Sequence, residues 1–127
     1  MARDIRSDVS PAISLAVDTH TASANGSAVD LQGYEAALVL VVTGTITDGS
    51  HAIGLQESDD ASTWSNVASS DILGTLPTIG ATDDDKTFTF GYIGSKRYLR
   101  VTTTVSGATS GGAYGALVLR GHPRHRS

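Results

Sequence analysis

Apolar and polar residues alternate with a period of two along much of this chain, and the alternation limits its fold more than any other feature. Leu99, Val101 and Val105 alternate with polar residues, and residues 13–18 and 88–92 follow the same pattern. Successive side chains of a β-strand point to opposite faces of its sheet, so a period of two predicts half-buried strands. We therefore expect Leu99, Val101 and Val105 to point into a core.

Two further segments, residues 36–42 and 113–119, are apolar at almost every position. A strand without a polar face is typical of burial on both sides, so these segments predict central strands between two layers. Turn residues separate the predicted strands, among them Asp48-Gly49 and Ser106-Gly107. The glycine-rich stretch just before residue 113 predicts that the last two strands form a hairpin.

Seven or eight short strands separated by turns predict a single all-β domain, either an antiparallel β-sandwich or a jelly-roll-like fold. Helix-forming residues are scarce, with Glu, Lys and Gln occurring twice each, which argues against helices. A length of 127 residues fits one domain. We assign residues 11–120 to it, and we expect residues 1–10 to form a flexible N-terminal arm and residues 121–127 a basic C-terminal tail.

Charge is divided unevenly along the chain. Twelve acidic residues and no Lys or Arg lie between Ser7 and Asp85, whereas residues 86–127 contain seven Lys or Arg and no acid. Acidic and basic strands can become neighbours and neutralise each other, and the molecule can also be bipolar, so that it associates head-to-tail or docks a basic end on an acidic partner. The two interpretations are compatible. The arginines near the two ends are candidate partner contacts: Arg3, Arg6, Arg120, Arg124 and Arg126.

The sequence lacks the usual signals of catalysis and of metal binding. It contains no Gly-x-Ser-x-Gly elbow and no cysteine, and nothing would hold His122 and His125 of the tail in a catalytic geometry. The same histidine pair lacks a third fixed metal ligand, and residues 83–85 lack the spaced ligands of a calcium-binding loop. We therefore predict no enzymatic activity, no metal site and no cofactor, and we interpret residues 83–85 as an exposed acidic loop tip.

Nucleic acids and membranes are not expected partners. Residues 120–126 offer three arginines but no aromatic residue on which a base could stack. The longest apolar run, residues 36–42, is far too short to span a membrane as a helix. The first eight residues contain no apolar segment of a secretory signal, so we expect a soluble protein that is made without classical export.

Trp64 is the only tryptophan, and it follows the turn residues Asp59 and Asp60. Turn carboxylates can accept backbone hydrogen bonds while the indole ring packs over the hairpin, so we predict that Trp64 is a structural plug in the core. The alternative is a ring that stacks on a sugar, which would make the chain a carbohydrate-binding module. Such a module needs several exposed aromatic residues, whereas most of the seven here lie at strand positions whose alternation points the side chain toward the core.

From residue 48 to the C-terminus, the order of strand ends and turns resembles that of small structural proteins of tailed phages and phage-like particles. The matching stretches are residues 48–51, 55–60, the segment around Trp64, residues 91–101 and residues 119–124. The resemblance implies a virion protein, made in the host cytoplasm, that binds the major capsid protein and decorates or stabilises the capsid. It also implies a homo-oligomer, with a trimer as the first expectation. A head-fibre or tail component is the alternative within this class.

Overall fold

The computed structural model describes residues 9–123, which form two antiparallel β-sheets packed face to face. The single helical segment in this part of the chain is a 3-10 turn, Ser69–Asp71. The predicted fold class, an all-β sandwich, is therefore confirmed. The strands within these residues are β1 (Val9–His20), β2 (Ala24–Asn25), β3 (Val29–Asp30), β4 (Tyr34–Ile46), β5 (Ser50–Ser58), β6 (Ser65–Asn66), β7 (Ile72–Leu73), β8 (Thr78–Ile79), β9 (Thr87–Tyr92), β10 (Tyr98–Ser106) and β11 (Gly112–Pro123).

The strands divide into sheet A, with the order β1-β11-β4-β9-β7, and sheet B, with the order β2-β10-β5-β6. The short strands β3 and β8 extend sheet B by pairing with β10 and β5. Because β10 and β11 lie in different sheets, the predicted C-terminal hairpin is wrong. The two strands that are apolar on both faces, β4 and β11, pair with each other at the centre of sheet A, which keeps their apolar faces continuous.

Inward side chains of both sheets form the core. In sheet B, Leu99 and Val101 are fully buried, as their alternation predicts, and Val105 is half-buried near the end of β10. In sheet A, Val39 and Phe90 lie opposite each other on β4 and β9 and are buried as well. Period two therefore gives the correct inward face for β9 and β10.

Strand β1 does not follow its predicted alternation. Leu15 is buried, but Ile13 and Val17 are exposed on the outer side and Ser14 is buried. Irregularities in the pairing with β11 on both sides of Leu15 shift side chains from one face to the other, as β-bulges do. The Ser14 hydroxyl holds the first shift, because it donates to the Ser27 carbonyl (2.8 Å) and accepts from a backbone N–H of β10 (2.9 Å).

The two ends of sheet A extend beyond the predicted domain. Strand β1 begins at Val9 and β11 ends at Pro123, so both strands include residues that the sequence assigned to the arm and the tail. Val9 and Gly121 are direct partners across these strands. Backbone pairing thus corrects the domain boundaries outward at both ends, and the rest of the predicted arm and tail lies outside the described residues.

A buried chain of polar side chains connects the two sheets. The Tyr114 hydroxyl of sheet A lies 2.8 Å from Nδ1 of His51 and 2.7 Å from the Thr103 hydroxyl, both of sheet B. Nε2 of His51 lies 3.0 Å from the Asp48 carbonyl, which can only accept, so Nε2 carries the proton and Nδ1 accepts from Tyr114. The Tyr114 hydroxyl, the Thr103 hydroxyl and both ring nitrogens of His51 therefore each have a hydrogen-bond partner, as a stable interior requires.

The side chain of Asp48 holds the loop between β10 and β11 in place. Its carboxylate accepts hydrogen bonds from the backbone N–H groups of Thr109, Ser110 and Gly111, at distances between 2.7 and 3.2 Å. These bonds, the strongest from Gly111, lower the pKa of the Asp48 carboxyl, because they stabilise its charged form. The loop that carries the chain from sheet B to sheet A thus depends on an ionised carboxylate.

We expect the Asp48→Asn variant to melt at a lower temperature than the wild type at neutral pH. The folded pKa of Asp48 lies below the unfolded value of about 3.9, so its contribution to stability is complete above about pH 4 and is lost as the pH falls through the folded pKa. The difference in melting temperature between the two proteins should therefore shrink on acidification. An equal difference at neutral and acidic pH, measured by circular dichroism, would contradict this role of the charge.

Candidate interaction surface

The outer face of sheet A, which points away from sheet B, is the most unusual surface of the molecule. Strand pairing places its side chains in rows across the sheet, since residues directly opposite each other share a face. The rows are Val9, Gly121 and Ala36; Pro11, Leu119, Leu38, Gly91 and Leu73; Ile13, Leu117, Leu40 and Thr89; and Gly115, Val42 and Thr87, with Val17 lying over Gly115.

Large apolar side chains on this face are open to solvent in the single chain. The exposed fraction is 58% for Ile13, 64% for Val17, 42% for Leu38 and 58% for Leu73. Threonines at positions 87 and 89 are the polar members of the rows, and none of the row residues carries a charge. The face is therefore a continuous apolar patch rather than a scatter of single exposed residues.

The outer face of sheet B has the opposite character. Its outward positions on β10 and β5 carry Arg100, Thr102, Thr104 and Gln56, which alternate with the buried core residues. This is the ordinary pattern of an antiparallel sheet with one face on the core and one in water. Only sheet A therefore departs from the solvated pattern, and the departure comes from β1, β4 and β11 together.

The prediction that residues 36–42 and 113–119 lie between two layers is half correct. Both segments are central strands of sheet A, and sheet B covers their inner face. Within residues 9–123 no second layer covers the outer face, because the sandwich has only two sheets. Apolar area that stays in water costs about 25 cal/mol per Å², so burial of this face against another protein would be favourable.

The charge split of the sequence is partly neutralised by ion pairs on the surface of the fold. Three ion pairs each join one acid of the N-terminal part with one base of the C-terminal part. They are Lys86–Asp83 (3.2 Å), Lys96–Asp59 (2.9 Å) and Arg97–Asp30 (2.9 Å). Lys96–Asp59 and Arg97–Asp30 agree with the first interpretation, that acidic and basic segments become neighbours, whereas Lys86–Asp83 joins residues three apart in one loop. Association through unlike surfaces stays a prediction.

Of the five arginines predicted as partner contacts, only Arg120 belongs to the described residues. It donates to the Ser10 hydroxyl (2.8 Å), to the Ser10 carbonyl (3.2 Å) and to the Asp30 carbonyl (3.0 Å), and it lies over the Tyr34 ring. Arg120 thus ties β1 and the end of β3 to β11, which is a structural role rather than that of a free contact. Arg3, Arg6, Arg124 and Arg126 lie outside the described residues.

The prediction that Trp64 packs in the core needs correction. Its ring is half-buried on the outer side of sheet B and is not a member of the core. The Arg100 guanidinium lies 4.3 Å from the ring centre, and Nε of Arg100 donates to Gln56 (2.8 Å). One face of the indole is therefore covered by a cation that is itself held in place, which leaves less of the ring for stacking on a sugar.

The acidic loop of residues 83–85 is exposed at its tip, but its carboxylates also serve the fold. Asp83 accepts from the Gly80 N–H (2.8 Å), and Asp84 accepts from the Ile46 N–H (2.9 Å). The Gly80 bond, assisted by Lys86, lowers the pKa of Asp83. These two carboxylates satisfy backbone donors at the end of β4 and just after β8, which the sequence pattern did not reveal.

An open cleft of about 420 Å³ lies at the end of the sandwich near Tyr34, Tyr92 and Lys96. The Tyr92 hydroxyl donates to Glu57 (2.7 Å) and accepts from the Lys96 N–H (3.0 Å), and burial together with Glu57 raises the pKa of Tyr92. The Tyr92 hydroxyl in this cleft therefore already has an acceptor and a donor within the chain.

A search of residues 9–123 finds no group of three His, Asp or Glu side chains placed to hold one metal ion. In the same part of the chain, no helix has the length and apolar character needed to cross a membrane. His125 and the side chain of His122 lie outside what the structure describes. A scan against protein-family models and a search of the curated proteins each return no match for the chain.

Proposed function

We propose that this protein is a structural component of a phage virion that binds the major capsid protein and decorates or stabilises the shell. The observation that supports this role best is the uncharged, apolar outer face of sheet A. A chain that presents such a face is suited to work as a subunit of a larger assembly, in which another protein surface covers it. The resemblance of residues 48–127 to small phage structural proteins is the reason for proposing a phage capsid as this assembly.

The rest of the molecule suits a repeated, rigid attachment. The described bases are paired or stacked within the chain, and the connecting loops are held by carboxylates such as Asp48 and Asp83. A subunit of fixed shape can make the same modest contact at each equivalent position of a lattice. If subunits are also linked to one another, simultaneous contacts raise the overall strength of attachment without a large single interface.

Sedimentation with purified capsids that lack the protein tests this function. We expect the wild-type protein to pellet in a fixed ratio to the capsid subunits and to raise the temperature at which the shells break open. Capsids of an unrelated phage serve as the control and should leave the protein in the supernatant. If the protein also stays in the supernatant with its matched capsids, the capsid role is wrong and binding to glycans becomes the next function to test.

A further inference from the structure

We propose that the outer face of sheet A is covered by the same face of a second copy, so that two sandwiches pack back to back as a dimer. The inference rests on the proposed role of the chain as an assembly subunit and names the partner of its apolar face. It offers an alternative to charge pairing as the force between copies, because three of the five described Lys and Arg side chains already pair with acids of the same chain.

The composition of the face favours a permanent partner. Interfaces that form and separate are about as polar as the rest of a protein surface, whereas obligate homodimer interfaces resemble a protein core cut in half. The rows centred on Leu117 and Leu40 belong to the second kind, with aliphatic and glycine residues throughout and threonines on one side only. A permanent partner must be present wherever the chain folds, and a second copy meets that requirement.

The size of the face approaches what a stable dimer needs. Five strands about 4.8 Å apart and four rows about 7 Å apart span roughly 20 Å by 20 Å, or about 400 Å² in projection. If the face were flat, two copies would remove twice that area from solvent. Side chains that project from the sheet add buried surface, which brings the total toward the ~1,200 Å² at which specific, stable interfaces begin.

Charge and shape allow the face to pack against itself. A two-fold contact brings each residue type against its own surface, so a charged patch would repel its copy, whereas an uncharged patch does not. A two-fold axis along the middle row would place the row of Leu119 and Leu38 from one copy against the row of Gly115 and Val42 from the other. Leu38 would then face Val42, and Leu119 would face Gly115 with the Val17 side chain that lies over it, so apolar side chains would meet across two sheets about 10 Å apart.

Analytical ultracentrifugation over a range of protein concentrations tests the dimer, with one variant on each sheet. Leu38→Lys places a charge in the apolar face, and Thr104→Lys places the same charge on the solvated face of sheet B. Because both positions are exposed in the single chain, both variants should keep the circular dichroism spectrum of the wild type. If Leu38→Lys does not fold, Ile13→Lys on the edge strand β1 takes its place.

We expect the wild type and Thr104→Lys to sediment at twice the 13.1 kDa chain mass, also at about 1 M salt, where exposed charge pairs are screened. Leu38→Lys should raise the dimer dissociation constant by roughly a hundredfold or more, since dimerisation would bury an unpaired ammonium group. A wild-type monomer or trimer would overturn the inference, as would a dimer that Leu38→Lys leaves intact. A dimer that does not pellet with capsids would contradict the proposed function alone, and a monomer that pellets would contradict the dimer alone.

Discussion

Replacing Val101 by Asp is expected to abolish folding of the domain. Val101 is fully buried on β10, directly opposite the buried Leu55 of β5. A carboxylate at this position would have no partner in the core, and the cost, at least about 5 kcal/mol, is comparable with the entire stability of a small domain. Urea denaturation followed by Trp64 fluorescence should show no cooperative transition for this variant.

Thr102→Asp is the matched control, because it puts the same charge one residue further along on the opposite face of β10. Thr102 lies opposite Gly54 and Asn25 on the outer side of sheet B, where water can solvate a carboxylate. We expect this variant to fold with a loss of no more than about 1 kcal/mol. Equal tolerance of the two changes, or equal loss, would show that the assignment of inner and outer faces in sheet B is wrong.

Gly111→Ala should cause the second large loss of stability. Gly111 has a φ of +77°, and a Cβ there would overlap the carbonyl oxygen of His20 at the end of β1. Its own carbonyl accepts from Thr47 (2.9 Å) and Asp48 (3.2 Å), so the loop cannot move aside without breaking these bonds. Left-handed backbone strain and the clash together should cost about 3 kcal/mol or more in free energy of unfolding.

Gly107 provides the control for backbone strain alone. It lies in the same loop with a φ of +68°, but a Cβ at Gly107 meets no atom within 4 Å. Gly107→Ala should therefore cost about 1 to 2 kcal/mol, the strain of a left-handed alanine without the clash. If thermal or urea denaturation gives the same loss for both alanine variants, the close contact between Gly111 and β1 does not matter to stability.

The sequence was sufficient to predict the inward faces of β9 and β10, because their alternation is regular. It failed for β1, where the side chain of Ser14 forms tertiary hydrogen bonds that hold a bulge and place Ile13 on the outer side. Serine after an apolar residue gives no local sign of such a bulge. The predicted hairpin of β10 and β11 was wrong for a related reason, since turn residues show where a chain bends but not which sheet it enters next.

The candidate surface was visible in the sequence only in part. Residues 36–42 and 113–119 showed that one sheet is apolar on both faces, yet the prediction supplied a second covering layer from within the chain. The described residues have strands for two layers only, so a layer over the outer face of sheet A would have to come from another protein. The contribution of Ile13 and Val17 could not be predicted, because it depends on the bulges of β1.

The ion pairs show how a sequence pattern can suggest the wrong force for assembly. The separation of acids and bases along the chain indicated a bipolar molecule, but folding places Arg97 beside Asp30 and Lys96 beside Asp59. Exposed pairs of this kind contribute little to stability individually. Their effect is to pair three of the five described Lys and Arg side chains with acids of the same chain, which leaves the apolar face as the stronger candidate for contact with another protein.

An electron cryomicroscopy map of capsids saturated with the protein would show whether the outer face of sheet A is buried in the assembly. We expect density for the sandwich at every equivalent lattice position, with the rows around Leu117 and Leu40 in contact with protein and withdrawn from solvent. The polar face of sheet B or the loops should then form the remaining contacts. If the bound copies instead leave the outer face of sheet A open to water, this face is not an interface.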